Sequence, residues 1–441
     1  MRKYITHPLG IFIVVFHAIY FLVALKTGNI YLVDSYGYLH QVKNLLEHQS
    51  WYAEDWNTPV LIDYFTIRPP LYALFILVCK SVFASDIFVL FIQNIFSLFN
   101  IFLLWKMLAH FSVKQKIINI AIITTLLFFP SQFIHANFVM SEILFQTLLL
   151  LSFYFSVKVL QTKKREHMLA VAVFISLCML TKPVIFLFGI FLFIFFAVVF
   201  WKQNKKILVP FLLLPLTYHV LCLQNQHTTG YYHYSSIKIM ADLRINTRYI
   251  IAQKYGADSS AKLCTKIYDE ANLMPDYESH YKHIEQSCNE VYTQNKTTFA
   301  MLYLKGVAST VFDPGRFDLS LFYGLQNNVK EGLLQKLNKN GSSSVSSVLQ
   351  NTPLLLLIYL LLILVWNIVL FCCFIAFVFN KKIDLLIRIL VFIFVGYIVA
   401  TTGISGLCRY RVPVFPEIIF AFSFVLPQII SYLNNKFSNH A

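Results

Sequence analysis

Long apolar runs separated by short polar segments dominate the hydrophobic pattern of this chain. Several runs exceed the roughly 20 residues needed to cross a hydrocarbon core, such as "LLLLIYLLLILVWNIVLFCCFIAFVF" at 354–379. Such runs predict membrane-spanning helices. Clear spans are expected at 9–26, 87–106, 116–131, 139–158, 167–182, 184–201, 207–223, 352–379, 384–402 and 412–432. The pattern predicts an all-α polytopic membrane protein with a transmembrane bundle of about 10–11 helices.

The segment 69–85 is ambiguous, because two prolines open it and Lys80 interrupts it. Its uninterrupted apolar core, from Leu71 to Cys79, is too short to cross a bilayer. We therefore expect a juxtamembrane helix near the outer interface, started by the proline pair.

The basic residues support this interpretation. If 69–85 does not cross, every basic cluster between the spans falls on one side, together with both termini, as expected for the cytoplasmic side. These clusters are Arg2/Lys3, Lys106/Lys114/Lys116, Lys158/Lys163/Lys164/Arg165, Lys202/Lys205/Lys206, Lys381/Lys382/Arg388 and Lys436. If 69–85 crossed, the N-terminal cluster would lie opposite the next ones.

This topology predicts three regions. Residues 1–223 form an N-terminal transmembrane module with a long external loop at 27–86, residues 224–350 form an external lobe, and residues 351–441 hold the C-terminal transmembrane helices. The "GSSSVSS" stretch at 341–347 predicts a flexible tether. The N-terminus has no small-residue cleavage site and is interpreted as a retained first helix.

Composition agrees with a membrane protein, since 58% of residues are hydrophobic. The net charge of +15 does not indicate nucleic-acid binding. The polar stretch 224–350 is nearly neutral, with 13 Lys and Arg against 11 Asp and Glu, so the excess lies in short loops that meet lipid headgroups.

Two of the eight cysteines, Cys264 and Cys288, fall in the polar stretch. If that stretch faces an oxidising compartment, they are the natural disulfide pair. No Cys/His spacing resembles a zinc site.

Six charged residues collect on the predicted external face: Asp34, Arg68, Glu142, Lys182, Arg409 and Arg411. Several have ordinary structural explanations taken singly, such as a helix-dipole acid for Glu142 or an interfacial anchor for Lys182. Ionisable groups at the ends of several helices on one face point to a functional site.

The chemistry of this set suits a lipid-linked phosphate. Arginine binds phosphate bidentately and lysine adds a point charge. A carboxylate near an acceptor hydroxyl can act as general base. A sugar phosphodiester needs cationic stabilisation of its leaving group more than the second carboxyl group that a glycosidase uses.

The order of the segments resembles a known family. "YLVDSYGYLHQVKNLL", "IRPPLYALFI", "FVMSEILFQTLLLL", "LTKPVIFLF" and "RYRVPVFPEIIF" follow one another as in polyprenyl-phosphate-sugar-dependent glycosyltransferases of the C-type (GT-C) fold. That group includes protein O-mannosyltransferases and lipid A aminoarabinose transferases. The resemblance covers roughly 1–223 and 352–432.

The resemblance implies roles for the charged residues. Asp34 matches the catalytic acid of the first loop, Arg68 the position before Pro-Pro-Leu where relatives carry Lys or His, and Glu142 an acid near the donor or acceptor. Lys182 matches the basic residue of a leucine-threonine-basic-proline turn, and Arg409 and Arg411 match a late segment near the lipid phosphate.

This chain departs from the O-mannosyltransferases at one position, since Asp34 is followed by Ser35 where they carry Asp-Glu. The nearby acids Glu54, Asp55 and Asp63 are alternative sources of the missing carboxylate. No Asp-x-Asp metal motif occurs in the external loops. No cofactor is therefore assigned, and a divalent cation stays open.

The sequence thus predicts an inverting glycosyltransferase of the bacterial plasma (inner) membrane, with its site facing the periplasm or exterior. The expected partners are a polyprenyl-phosphate-linked sugar donor, a glycan, lipid or protein acceptor, and membrane lipid, but no nucleic acid. The alternatives are a flippase or transporter of lipid-linked sugars and an envelope glycan polymerase. A transporter should show repeats and polar or charged groups near the midplane. In this sequence mid-span charge is scarce and no repeat is visible.

Overall fold

A computed structural model describes residues 7–325 and 352–438 of the chain, with side chains as far as residue 432. Within those residues every regular element is helical. The predicted all-α polytopic class is confirmed, and the chain is a multi-pass membrane protein.

The α-helices of the N-terminal half carry most of the predicted spans. In chain order they are α1 (Pro8–Thr27), α2 (Val33–His48), α3 (Leu71–Val82), α4 (Asp86–His110), α5 (Gln115–Phe128), α6 (Ser131–Ala136), α7 (Glu142–Thr162), α8 (Arg165–Met179), α9 (Phe188–Phe200) and α10 (Leu213–Thr229).

The remaining helices form the predicted lobe and the C-terminal spans. They are α11 (Ile237–Ala241), α12 (Arg248–Tyr255), α13 (Ala257–Asn272), α14 (Tyr277–Gln294), α15 (Lys296–Phe312), α16 (Arg316–Phe322), α17 (Leu354–Phe379), α18 (Leu385–Thr401) and α19 (Phe415–Ser438). A π-helical turn at Asp242–Thr247 joins α11 to α12, and short 3₁₀ turns include Pro183–Ile185, Lys205–Leu212 and Cys408–Val414.

Seven helical stretches of the described chain are long and apolar enough to cross a membrane: Pro8–Thr27, Asp86–His110, Glu142–Thr162, Pro183–Phe200, Lys205–Thr229, Leu354–Phe379 and Cys408–Tyr432. The other three predicted spans coincide with shorter helices, α5, α8 and α18. The predicted span at 116–131 therefore ends early, because Pro130 separates α5 from the short helix α6.

Helix α3 has 12 residues and begins after Pro70, as the proline pair predicts. At 1.5 Å per residue it extends about 18 Å, well short of a hydrocarbon core of about 30 Å. The amide of Leu71 donates to the carbonyl of Leu180 (2.9 Å), and Lys80 pairs with Asp86 (2.9 Å). Both ends of α3 are thus fastened to neighbouring membrane helices.

The most enclosed spans are α7 and the stretch Cys408–Tyr432, of which 72% and 67% are buried inside the protein. The stretch Leu354–Phe379 is only 28% buried and forms the periphery. Glu142 and Arg409 lie at the starts of these two most enclosed stretches.

The lobe has small cores of its own. One joins α11, α13 and α14 with Ala53 and Ile67 of the first loop, and a second surrounds Ile250 and Leu302. The last lobe helix, α16, instead packs into the main core through Leu319 and Phe322.

The predicted disulfide between Cys264 and Cys288 is wrong for this structure, which holds both residues as free thiols. The Cys264 thiol donates to the carbonyl of Leu243 (3.3 Å). Cys288 is buried in the core of the lobe. The thiols are therefore engaged separately, one by a hydrogen bond and one by packing.

The predicted tether at 341–347 and the basic pair Arg2/Lys3 lie outside the described residues, as does the side chain of Lys436.

Candidate functional site

Asp34 lies in the first turn of α2, a few residues after the first span ends at Thr27. The hydroxyl of Ser35 accepts a hydrogen bond from the Leu32 amide (2.8 Å) and so caps the helix. The serine that departs from the family pattern thus has a local structural role. A carboxylate in the first turn is also stabilised by the helix dipole.

Two guanidinium groups hold the carboxylate of Asp34. Arg68 Nη2 lies 3.0 Å from Oδ1, and Arg409 Nη1 lies 2.9 Å from Oδ2. The Asp34 side chain is 32% exposed, whereas those of Arg68 and Arg409 are 18% and 20% exposed. The carboxylate is therefore reachable, and the two cations lie deeper.

Arg68 is held in place from several sides. Its guanidinium lies over the ring of Tyr38, 4.5 Å from the centroid, and its carbonyl accepts a hydrogen bond from Gln41 (3.0 Å). Gly37 faces it directly, since a Cβ at that position would lie 2.6 Å from Arg68 Nε. Helix α2 thus carries both the acid and the surface on which its arginine partner rests.

A second ion pair joins Glu142, at the start of α7, to Lys182, which precedes Pro183. Lys182 Nζ lies 2.8 Å from Glu142 Oε1. The Glu142 side chain is only 1% exposed, and its Oε2 has no hydrogen-bond partner among the described residues. A buried carboxylate with one free oxygen is available to a further donor.

The pKa of Asp34 is set by burial, by its own two arginine partners and by Lys182 of the second ion pair. Burial raises it, but the charges of Arg409, Arg68 and Lys182 outweigh burial and hold the pKa of Asp34 below its ordinary value. The carboxylate is thus ionised at neutral pH. Three cations face two carboxylates here, which leaves a net positive site suited to an anion.

Five of the six residues singled out in the sequence therefore meet, namely Asp34, Arg68, Glu142, Lys182 and Arg409. Arg411 does not join them. Its guanidinium donates to the carbonyls of Val311 and Asp313 (the latter at 3.2 Å) and lies over the ring of Phe129.

The alternative carboxylates of the first loop lie elsewhere. Asp63 is buried against the lobe, where it accepts hydrogen bonds from Tyr277 (2.9 Å) and Tyr268 (3.1 Å). Asp55 bonds the amide and side chain of Asn57, and Glu54 accepts the Asp55 amide (3.2 Å). None of these contacts reaches the arginine pair.

Two further buried residues lie near the site and were missed in the sequence. His135 Nε2 lies 2.9 Å from Asp318 Oδ2, although 183 positions separate the two residues. No local motif signals such a pair. In the described part of the chain, no group of three or more His, Cys, Asp or Glu forms a metal-binding cluster.

No family model matches the sequence, and no curated protein matches it significantly. Among solved structures, the chain is similar to the archaeal oligosaccharyltransferase AglB from Archaeoglobus fulgidus, determined with an inhibitory peptide and a dolichol-phosphate. The identity is 13% and the TM-score 0.45 over 98% of this chain. The chain spans about half (52%) of the length of that protein.

Proposed function

We propose that the protein is a membrane glycosyltransferase that moves a sugar from a polyprenyl-phosphate carrier to an envelope glycan, lipid or protein acceptor. The observation that carries this proposal is the carboxylate of Asp34 held between Arg68 and Arg409, beside the pair of Glu142 and Lys182. The site lies where the ends of several apolar helices meet, which a lipid-linked substrate can approach from the bilayer.

The charges of the site suit phosphate as leaving group. Arg68, Arg409 and Lys182 provide three cations, and arginine can bind phosphate oxygens in a fork. As the bond from the anomeric carbon to the phosphate oxygen breaks, the electron pair leaves with the phosphate. Cations placed where that charge develops lower the barrier.

Asp34 is proposed as the general base. It takes the proton of an acceptor hydroxyl, the acceptor oxygen forms the new bond to the anomeric carbon, and the carrier departs as polyprenyl phosphate. Attack opposite the leaving group inverts the anomeric configuration. A single carboxylate base is sufficient for this step.

The two arginines link donor binding to the strength of this base. While both guanidinium groups pair with Asp34, they keep its pKa low and its basicity weak. A donor phosphate competes with Asp34 for the same cations. When the donor binds, the guanidinium groups pair with its phosphate and less with Asp34. The pKa of Asp34 then rises, and the carboxylate becomes a stronger base towards the acceptor hydroxyl.

The site is assigned to the external face of the bacterial plasma membrane, with both termini cytoplasmic. This fits the position of Asp34, Glu142, Lys182 and Arg409 at helix ends that share one side in the predicted topology. No divalent cation is required for the steps above.

The test is complementation of a deletion strain, with mass spectrometry of its envelope glycans. The wild-type gene should restore a sugar modification that Asp34→Asn fails to restore, with transfer lowered by about 10²–10⁴-fold. Asp55→Asn is the matched control, because Asp55 is an acid of the same loop whose carboxylate bonds Asn57 and not the two arginines. Near wild-type transfer by Asp34→Asn would contradict the assignment and favour a transporter or a polymerase.

A further inference from the structure

The His135–Asp318 pair has no role in the steps proposed above. Asp318 lies on α16, and its Oδ2 accepts hydrogen bonds from His135 Nε2 (2.9 Å) and from the thiol of Cys408 (3.1 Å). The side chains of His135 and Asp318 are 0% and 5% exposed. One buried carboxylate therefore joins three segments that are remote in sequence: α6, α16 and the turn Cys408–Val414. Arg409 directly follows Cys408 in that turn.

A glycine allows this close approach. Gly315 begins α16 with φ of 79°, a left-handed conformation that favours glycine. A Cβ there would lie 3.2 Å from the Cys408 sulfur and 3.3 Å from the Ser131 hydroxyl. Helix α16 is thus pressed against the segments that carry Cys408 and His135.

The turn 408–411 also contacts the end of α15. Arg411 donates to the carbonyls of Val311 and Asp313. Residues 311–318 are therefore fastened to the turn 408–411 at two points. Arg409 lies between those points and extends to Asp34.

Stability alone is a weak reason for a charge at this position. Replacing a buried ion pair with well-packed apolar residues is often neutral or stabilising. Burial raises the pKa of Asp318, but His135, Cys408 and Arg409 lower it below its ordinary value. The carboxylate is thus kept ionised close to Arg409.

We propose that Asp318 is a positioning residue for Arg409. It holds Cys408, and through it the turn 408–411, so that the Arg409 guanidinium meets both Asp34 and the donor phosphate. This inference rests on the proposed function. It makes residues 311–318, which lie within the predicted external lobe, a support for the donor site.

The test uses purified full-length protein in detergent, with undecaprenyl phosphate as the probe and native mass spectrometry to measure its dissociation constant. Asp318→Asn and Cys408→Ala should each weaken binding by about tenfold, the equivalent of one hydrogen bond. Cys408→Ser retains a donor and should remain within about twofold of wild type. Asp318→Asn should add nothing in an Arg409→Gln background, because the same contact is already lost.

The matched control is Asp242→Asn, which removes a lobe carboxylate bonded to Tyr292 (2.8 Å) and Asn246 (2.9 Å). It should lower the melting temperature and leave probe affinity unchanged. If Asp318→Asn behaves the same way, or if its effect persists in the Arg409→Gln background, the positioning role is excluded. If Arg409→Gln also leaves the envelope glycans unchanged, the proposed function fails and the positioning role with it.

Discussion

The guanidinium of Arg68 lies directly against Gly37. Gly37 follows Asp34, the ion-pair partner of Arg68, by about one turn of α2. A Cβ on residue 37 would approach Arg68 Nε to 2.6 Å and the carbonyl oxygen of Ala53 to 3.3 Å. The absence of a side chain at position 37 therefore allows the guanidinium to lie across the helix and reach the carboxylate.

Gly37→Ala should separate stability from activity. Alanine within a helix is favoured over glycine by up to about 1 kcal/mol, so the melting temperature should hold or rise. The added methyl group displaces the flexible end of Arg68 from Asp34 and Tyr38. A misplacement of about 1 Å can lower a rate by about 100-fold, so sugar transfer should fall strongly.

The control for this variant is the double substitution Gly37→Ala/Arg68→Ala. If Gly37 acts only by making room for Arg68, the double variant transfers sugar as poorly as Arg68→Ala alone. A much lower rate in the double variant would mean that Gly37→Ala disturbs another part of the site.

The pKa of Asp34 predicts how pH acts on the protein. Because the folded-state pKa lies below the ordinary value of about 3.9, the ionised carboxylate stabilises the fold above that pH. This stabilisation is lost as pH falls through the depressed value. Protonation of Asp34 should therefore cause no acid limb in kcat/KM between about pH 5 and 8.

Arg409→Gln should raise the pH at which Asp34 is protonated. Arg409 is the largest of the charges that lower the pKa of Asp34, and a nearby opposite charge typically lowers a carboxyl pKa by about 1–3 units. The acid limb of kcat/KM should move upward by a similar amount. Arg244→Gln is a suitable control, because Arg244 donates to the hydroxyl of Tyr64 in the first loop and not to Asp34. Its pH profile should match wild type.

The parts of the structure that sequence could predict are those with a local signal. Apolar length marks the spans, and the proline pair marks the start of α3. The five site residues could be grouped because the predicted topology places each of them near a helix end on the same side: Asp34, Arg68, Glu142, Lys182 and Arg409. The pairing of Asp34 with both arginines depends on how the helices pack, which no local pattern encodes.

Other features lacked any such signal. Arg411 lies two positions from Arg409 and shares its sequence context, yet backbone carbonyls of α15 and the following turn take its donors. In the sequence, Asp318 is one acid of a nearly neutral polar stretch. Its contact with the buried His135 arises only because α16 packs into the bundle core. For the two lobe cysteines, spacing alone could not reveal that Cys264 bonds a carbonyl.

A close backbone crossing supports the turn that carries Arg409. Helix α15 meets residues 403–406 through glycines, and a Cβ on Gly306 or Gly406 would overlap the carbonyl of Gly403 or Gly306 respectively. Backbone atoms on both sides leave no flexible group to move aside. Gly306→Ala and Gly406→Ala should each abolish the monodisperse peak in size-exclusion chromatography or lower the melting temperature sharply.

Gly396→Ala is the matched control for that crossing. The nearest atoms to its Cβ would be ring carbons of Phe392 at 3.7 Å, an ordinary contact distance. It should therefore purify like wild type. Normal folding of Gly406→Ala would show that α15 and the turn do not cross as closely as described.

The position of α3 relative to the bilayer can be settled by labelling on both sides of it. Its two ends are fastened to Leu180 and Asp86, which lie at helix ends assigned to the external face. Val60 and Ala84 flank α3 and are exposed. With the exposed Cys372 and the partly exposed Cys264 both replaced by serine, Val60→Cys and Ala84→Cys should both react with an impermeant thiol reagent on intact cells, whereas Asn204→Cys should react only after lysis. If only one of positions 60 and 84 reacts on intact cells, α3 crosses the membrane. If both are protected and position 204 reacts, the Asp34 site lies in the cytoplasm.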